Sequence, residues 1–278
     1  MLLHNTRKNF AAMRIVTLIE NLAYTQGLVA EHGLSVYIET GDRKILFDTG
    51  QTGLFIQNAQ KLGIDIEDID TLILSHGHYD HTGGLYPFLE KNSQAKVFAK
   101  KDIFTPKYHD TNRFIGLVPD EHLLADRFSG VTSVTEIADG VFMMPEIPIR
   151  HATDTHFNNL YKKLNGELIP DEFDDELFLV LKQHGQIHIV TACSHRGITN
   201  ICTAATDYFK LPVGLILGGF HTRNCTVEQY VYITHYLRQL NPKSIGVCHC
   251  TGVEKFAEMY HECDVPVFYN FTGNEVRI

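Results

Sequence analysis

Tryptophan is absent from the 278 residues, so phenylalanine and tyrosine must supply the aromatic packing. The six cysteines (Cys193, Cys202, Cys225, Cys248, Cys250 and Cys263) contain no C-x-x-C pair and no dense short-spaced framework. That argues against a disulfide scaffold and fits a reduced interior with buried thiols. No run is apolar enough over a sufficient length to span a bilayer. Residues 1–12 lack the apolar stretch of a secretory signal. With Arg7, Lys8 and no acid, they read as a short overhang before the first strand, beside a transit-like alternative. Positive charge is also short, with 24 Lys and Arg against 33 Asp and Glu and a net charge of -9. Phosphate backbones attract basic surfaces, so a general nucleic-acid binder is not expected. A small anionic substrate held by a few local cations is compatible. These absences together predict a cytoplasmic protein with a small-molecule substrate and neither membrane nor nucleic acid as partner.

Histidine, by contrast, is plentiful at 16 residues. It is the commonest neutral metal ligand and the usual proton carrier near pH 7, so position decides its meaning. Hydrophobic periodicity and turn residues predict strands over 13–20, 34–40 and 44–48, the last two joined at Gly41-Asp42. A helix follows over 54–62, a short buried strand over 70–75, a helix over 85–89 and a strand over 96–99. Residues 100–139 show no clean period and read as an insertion with some helix; together with the polar stretch to 175 they form a lid-like region. The second part begins with a strand at 141–144 and a hairpin of 177–182 and 187–193. It continues with a helix over 197–209, a strand over 213–217 and a helix over 226–240. A strand over 244–247, a helix over 252–260 and a final strand over 265–269 close it. Each part leads with a strand hairpin and ends in strand–helix alternation. We therefore expect one domain over 1–278, made of two similar β/α halves packed sheet to sheet with helices outside.

The chemistry concentrates just after the strand ending at Ser75, in His76-Gly77-His78-Tyr79-Asp80-His81. On an extended segment, residues i and i+2 point to the same side, so His76 and His78 can meet one ion. Asp80 and His81 follow where the chain turns into a helix and can face a neighbouring point. Imidazole with carboxylate suits zinc, iron or manganese better than calcium or magnesium. One ion takes about four ligands, and two ions about 3.5–4 Å apart share a site. More ligands must therefore come from a distance. His195, His221 and His249 each follow a predicted strand, where rigid sheets hold reactive groups. Asp48, in Phe47-Asp48-Thr49-Gly50, is placed to hold the metal loop from behind and fix imidazole tautomers. Cys248 and Cys250 flank His249 and, by strand alternation, are expected to face away from it into the core.

The run Ser75 to Gly84 closely resembles the H-x-H-x-D-H signature of the metallo-β-lactamase-fold hydrolases. The resemblance continues through Ala192-Cys193-Ser194-His195 to Cys248-His249-Cys250-Thr251-Gly252. It is strongest to the branch that includes dihydropterin- and methanopterin-related synthases and general metal-dependent hydrolases, where Gly-Gly-Phe-His also occurs, here 218–221. The resemblance implies a four-layer αββα sandwich with a dinuclear site at the sheet edge and two ions, zinc first, with iron or manganese as alternatives. It implies His76, His78 and His195 on one ion and Asp80, His81 and His249 on the other. Many relatives also place a bridging Asp after a later strand, where this chain has Gly219-Phe220-His221. His221 is thus either a ligand or a hydrogen-bond partner of substrate or leaving group.

The expected activity is metal-dependent hydrolysis of a small ester, lactone, thioester or phosphate ester by a metal-activated hydroxide. Asp80 would orient the nucleophile and His221 would serve the leaving group. An iron-dependent redox enzyme resembling persulfide oxygenases, or a non-catalytic metal-bearing sensor, are the alternatives on the same fold. Substrate contact is expected from His151, His156 and Arg196, with Arg150 a further anion contact or simple surface charge. His109 and His122 read as solvated.

Overall fold

The structure is a computed structural model describing residues 12–41 and 43–278. Of the overhang predicted over 1–12, only Ala12 is among them, and Asp42 of the predicted turn also lies outside. Its partner Gly41 has φ 54°, the left-handed geometry that a tight hairpin needs.

Two seven-stranded sheets form the centre. The first runs, in spatial order, β18 (Glu275–Arg277), β1 (Arg14–Ile19), β2 (Ser35–Thr40), β3 (Arg43–Phe47), β4 (Thr71–Ile73), β5 (Lys96–Ala99) and β8 (Phe128–Gly130). The second runs β17 (Val267–Tyr269), β16 (Ser244–Val247), β15 (Val213–Gly218), β14 (Gln186–Val190), β13 (Phe178–Gln183), β10 (Val141–Met144) and β9 (Thr135–Ala138). In each sheet an antiparallel hairpin feeds a parallel run: β2–β3 into β4, β5 and β8, and β13–β14 into β15, β16 and β17. The two-half architecture expected from the sequence is therefore present.

Strand alternation explains the layering, because neighbouring residues face opposite sides of a sheet. Ile15, Ile45 and Ile73 pack between the sheets against Leu179, Val190 and Leu217. Their neighbours Val16, Leu46 and Leu72 pack outward with Phe55 and Ala59 of α1 (Leu54–Lys61) and Phe88 of α3 (Leu85–Lys91). On the far side, Val180, Ile189 and Ile216 meet α5 (Ile198–Phe209), α6 (Val227–Leu240) and α7 (Val253–Glu262) through Ile201, Ile233 and Met259. Three apolar layers thus separate helix, sheet, sheet and helix. Both sheets are covered on two faces, and so β4 and β15 are buried at every position.

Two features differ from the sequence expectation. The last strand is β18, not 265–269; it crosses to the first sheet and pairs antiparallel with β1. The regular structure within residues 100–175 is mostly short strands, with only a short helix α4 (Glu121–Leu124) and 3-10 turns beside them. Within that stretch β8, β9 and β10 complete the two main sheets. The remainder, β6 (Lys107–His109), β7 (Arg113–Phe114), β11 (Leu160–Leu164) and β12 (Glu167–Pro170), forms a separate four-stranded sheet. Its strands are too short to show a period in the sequence. No helix among the described residues is long and apolar enough to cross a membrane.

Candidate metal centre

The parallel strands carry their carboxyl ends to one edge of the sandwich, and the predicted site residues follow those ends. Asp48 follows β3, His76 follows β4, His195 follows β14, His221 follows β15 and His249 follows β16. His78 is extended (φ -75°, ψ 143°) and caps the single turn α2 (Tyr79–Thr82), which carries Asp80 and His81. The extended entry brings His76 and His78 together, with ring centroids 4.7 Å apart. Four non-glycine residues of this edge have left-handed backbone: Asp48 (φ 59°), Ser194 (54°), His221 (53°) and His249 (51°). Such strain costs about 1–3 kcal/mol per residue and persists where packing over-determines it, commonly at functional sites.

Hydrogen bonds on the far side of the rings aim their other nitrogens inward. Asp48 Oδ1 accepts from the Ser75 amide at 2.7 Å, and its Oδ2 accepts from Ser75 Oγ at 2.7 Å. Ser75 Oγ has thus spent its proton, so it accepts from His76 Nδ1 at 2.8 Å. His195 Nδ1 donates to the His156 carbonyl at 3.3 Å, and His249 Nδ1 to Asn21 Oδ1 at 2.9 Å. These contacts leave lone pairs on the Nε2 atoms. The Nε2 atoms of His76, His78 and His195 are buried without a hydrogen-bond partner. The three residues offer ligand atoms within 4.8 Å of one another. Burial drives all three imidazoles well below their ordinary pKa, so they are neutral. Three converging buried ring nitrogens with no partner are a costly arrangement unless a cation takes them, and the set fits a metal ion.

A second group lies beside the first. Asp80 Oδ2 is 3.3 Å from His249 Nε2, 3.2 Å from His32 Nε2 and 3.8 Å from His81 Nε2. His81 is held at both nitrogens, Nδ1 by Asp48 Oδ2 at 2.7 Å and Nε2 by Cys193 Sγ at 3.1 Å. Burial disfavours charge on His81, but Asp80 and Asp48 outweigh it and raise its pKa to about 9.

Several supporting residues escaped sequence reasoning. Glu176 accepts the amides of His195 at 2.7 Å and Arg196 at 2.8 Å, and burial pushes its pKa up to about 7. Glu20 accepts the His249 amide at 3.2 Å. An acid directly after a strand is the signal that marked Asp48, and it applies equally to Glu20 after β1. Phe173 stacks on His195 with centroids 3.8 Å apart. Lys107 is buried between Asp171 (2.5 Å) and Asp175 (2.9 Å), and Asp175 also accepts the Gly77 amide at 2.8 Å. Only the acid-rich stretch before β13 hinted at that cluster.

The cleft over these groups has a volume of about 390 Å³. His78, Asp80, His195, His221 and His249 line it, and so does His156, which is anchored to Asp154 at 3.0 Å. His221 stands beside His195 (centroids 4.4 Å), with a buried and unpartnered Nδ1. Two expected substrate contacts lie elsewhere. His151 is bonded to Tyr232 Oη at 2.6 Å and Thr203 Oγ1 at 3.1 Å. Arg196 is turned to the carbonyls of Ile147 and Glu172. Neither side chain lines the cleft, because the loops carrying them pack onto α5 and the 172–176 turn. Arg150 pairs with Asp207. In their place the small sheet brings Arg113 and His109 to the cleft wall. Cys250 corrects another expectation. Residues 249–251 form a 3-10 turn rather than a strand, so Cys250 lines the cleft near the His221 amide (3.3 Å), while Cys248 is in the core.

The fold and this edge together define a two-sheet sandwich with a histidine-rich cradle at its strand ends. Residues 28–198 match the family model described as the metallo-beta-lactamase superfamily, and the chain belongs to that superfamily. It is similar to the 7,8-dihydropterin-6-methyl-4-(beta-D-ribofuranosyl)-aminobenzene-5'-phosphate synthase of Methanocaldococcus jannaschii, 30% identical over 258 residues, covering 86% of this chain and 88% of the relative. A UPF0173 metal-dependent hydrolase of Staphylococcus aureus is 31% identical over 91 residues, covering 31% of this chain and 37% of the relative. Among solved structures, Tm1679, a metal-dependent hydrolase of the beta-lactamase superfamily, superposes with a TM-score of 0.84 at 29% identity, covering 96% of this chain and 99% of the other. These kinships support a general metal-dependent hydrolase class.

Proposed function

We propose that this chain is a metal-dependent hydrolase of a small anionic substrate, attacking a phosphoryl or carbonyl centre. The observation that carries the reading is the convergence of three buried, unpartnered Nε2 atoms beside Asp80. His76, His78 and His195 would hold one ion, and Asp80 and His249, with His81 close by, a second. Zinc is the first candidate, and the donor set also accepts iron or manganese. Bound there, such ions supply Lewis acidity and a nucleophilic water near neutral pH. The residues of the chain do the rest. Asp80 orients the attacking group from one side. His221 offers its free Nδ1 to the leaving group from the other. Asp48 and Glu176 hold the cradle fixed, so little reorganisation accompanies the reaction.

Arg113 and His109 on the cleft wall suit an anionic substrate. The Methanocaldococcus jannaschii relative is named for a 5'-phosphate, which agrees with that class. The same name ends in synthase and favours a second reading, in which a substrate nucleophile replaces water.

The test is turnover of phosphate esters, thioesters and lactones by zinc-, manganese- or iron-loaded protein. Product formation with water alone supports hydrolysis; product formed only when a second nucleophile is added supports group transfer. Replacing His78 and Asp80 together should abolish metal binding and turnover, and unchanged activity in that variant would sink the proposal.

A further inference from the structure

We infer that His32 is a protein ligand of the second metal, completing a donor set of His32, Asp80 and His249. The inference rests on the metal-centre reading above and changes which residues hold the second ion. His32 Nε2 and His249 Nε2 approach the same oxygen, Asp80 Oδ2, at 3.2 and 3.3 Å. The three residues offer ligand atoms that lie within 4.8 Å of one another. The two imidazoles lie side by side, with centroids 5.1 Å apart, and both line the cleft. Two nitrogens and a carboxylate oxygen are a sufficient protein set for an ion that keeps open positions for water or substrate.

The chain holds His32 in place by contacts to the other two ligands. The Leu34 amide donates to the Asp80 carbonyl at 3.2 Å. The Gly33 amide donates to Asn21 Oδ1 at 3.3 Å, the same atom that orients His249 Nδ1 at 2.9 Å. Gly33 has φ 149°, and a Cβ there would meet the Asp80 carbonyl oxygen at 2.4 Å. Only glycine lets this segment lie against the metal loop. One amide oxygen thus ties the backbone beside His32 to the His249 imidazole. His81 is the poorer donor by the same measure. Its Nε2 faces Cys193 Sγ at 3.1 Å, and the Asp80 oxygen is 3.8 Å away.

The experiment compares wild type, His32→Ala and His109→Ala, each stripped of metal, reloaded with zinc and freed of excess. Bound zinc is counted by mass spectrometry, and the affinities are taken from calorimetric titration. The His32 side chain is about half exposed, so the stripped variant should melt with the stripped wild type. We expect two equivalents of zinc in wild type and in His109→Ala, and one in His32→Ala. The second-site affinity should fall by more than the roughly 10–100-fold that follows loss of a hydrogen-bond partner behind a ligand. A His32→Ala protein holding both ions at wild-type affinity overturns the inference. A wild type that binds no zinc overturns instead the metal-centre reading on which it rests.

Discussion

Lys107 shows how a single side chain can support a site it never touches. Its ammonium group lies between Asp171 and Asp175, is 4.9 Å from the Phe173 ring centroid, and is almost wholly buried. Asp175 passes the arrangement to the Gly77 amide, and Phe173 passes it to His195. Replacing Lys107 by Met leaves two buried carboxylates without their cation. Breaking a buried pair from one side costs roughly 3–5 kcal/mol, and the Lys107→Met protein should lose about that much in urea unfolding. At this scale the sequence was legible where donors are close along the chain, as in His76 to His81. Where the partners are far apart it was not. Glu20 meets His249 across 229 positions, and His32 meets Asp80 across three strands and a helix. Arg196 and His151 had suitable chemistry and suitable positions, but their hydrogen bonds face other partners.

Among the elements, β14 carries a group whose burial has a pH consequence away from the metals. His188 is only 8% exposed, its Nδ1 has no hydrogen-bond partner, and its ring sits over Gly214. Burial, helped by Lys243 and His184, lowers its pKa to about 4 from an ordinary 6.5. The unfolded chain therefore takes up its proton first as pH falls. The stability that neutral His188 contributes is fully present above pH 6.5 and is lost as pH falls from there toward 4. His188→Leu removes this titration. In the metal-free protein, the stability of wild type relative to His188→Leu should decline between pH 6.5 and 4, as measured by urea unfolding at fixed pH values. A constant difference would contradict the assignment. Sequence pattern revealed most elements, because a continuous apolar run such as β15 reads as a buried strand and a 3.6 period over fourteen residues such as α6 reads as a helix. It failed for β6, β7 and β18, whose two or three residues carry no period and whose pairing is set by neighbours distant in sequence.

The whole molecule is two sheet-and-helix halves meeting at the site. The first half brings His76, His78 and Asp80, and the second brings His195 and His249. A ligand that binds only the folded arrangement stabilises it by mass action, by about 2.7 kcal/mol at 100 times its Kd. Stripping the metal with a chelator should therefore lower Tm, and restoring zinc should raise it in a concentration-dependent way. Far-ultraviolet circular dichroism should change little, because the three apolar layers do not depend on the ions. A Tm indifferent to zinc would count against a site spanning both halves.

By itself the sequence determined the sandwich of two halves and the nucleus of the site. Both rest on short-range patterns, hydrophobic alternation and the spacing of His76, His78, Asp80 and His81. Only the tertiary structure decided which residues close around that nucleus. It brought in His32, Arg113 and Cys250, and turned His151 and Arg196 away. The physical reason is that convergence on a point depends on how strand ends and loops pack across two sheets, and no local period encodes that packing.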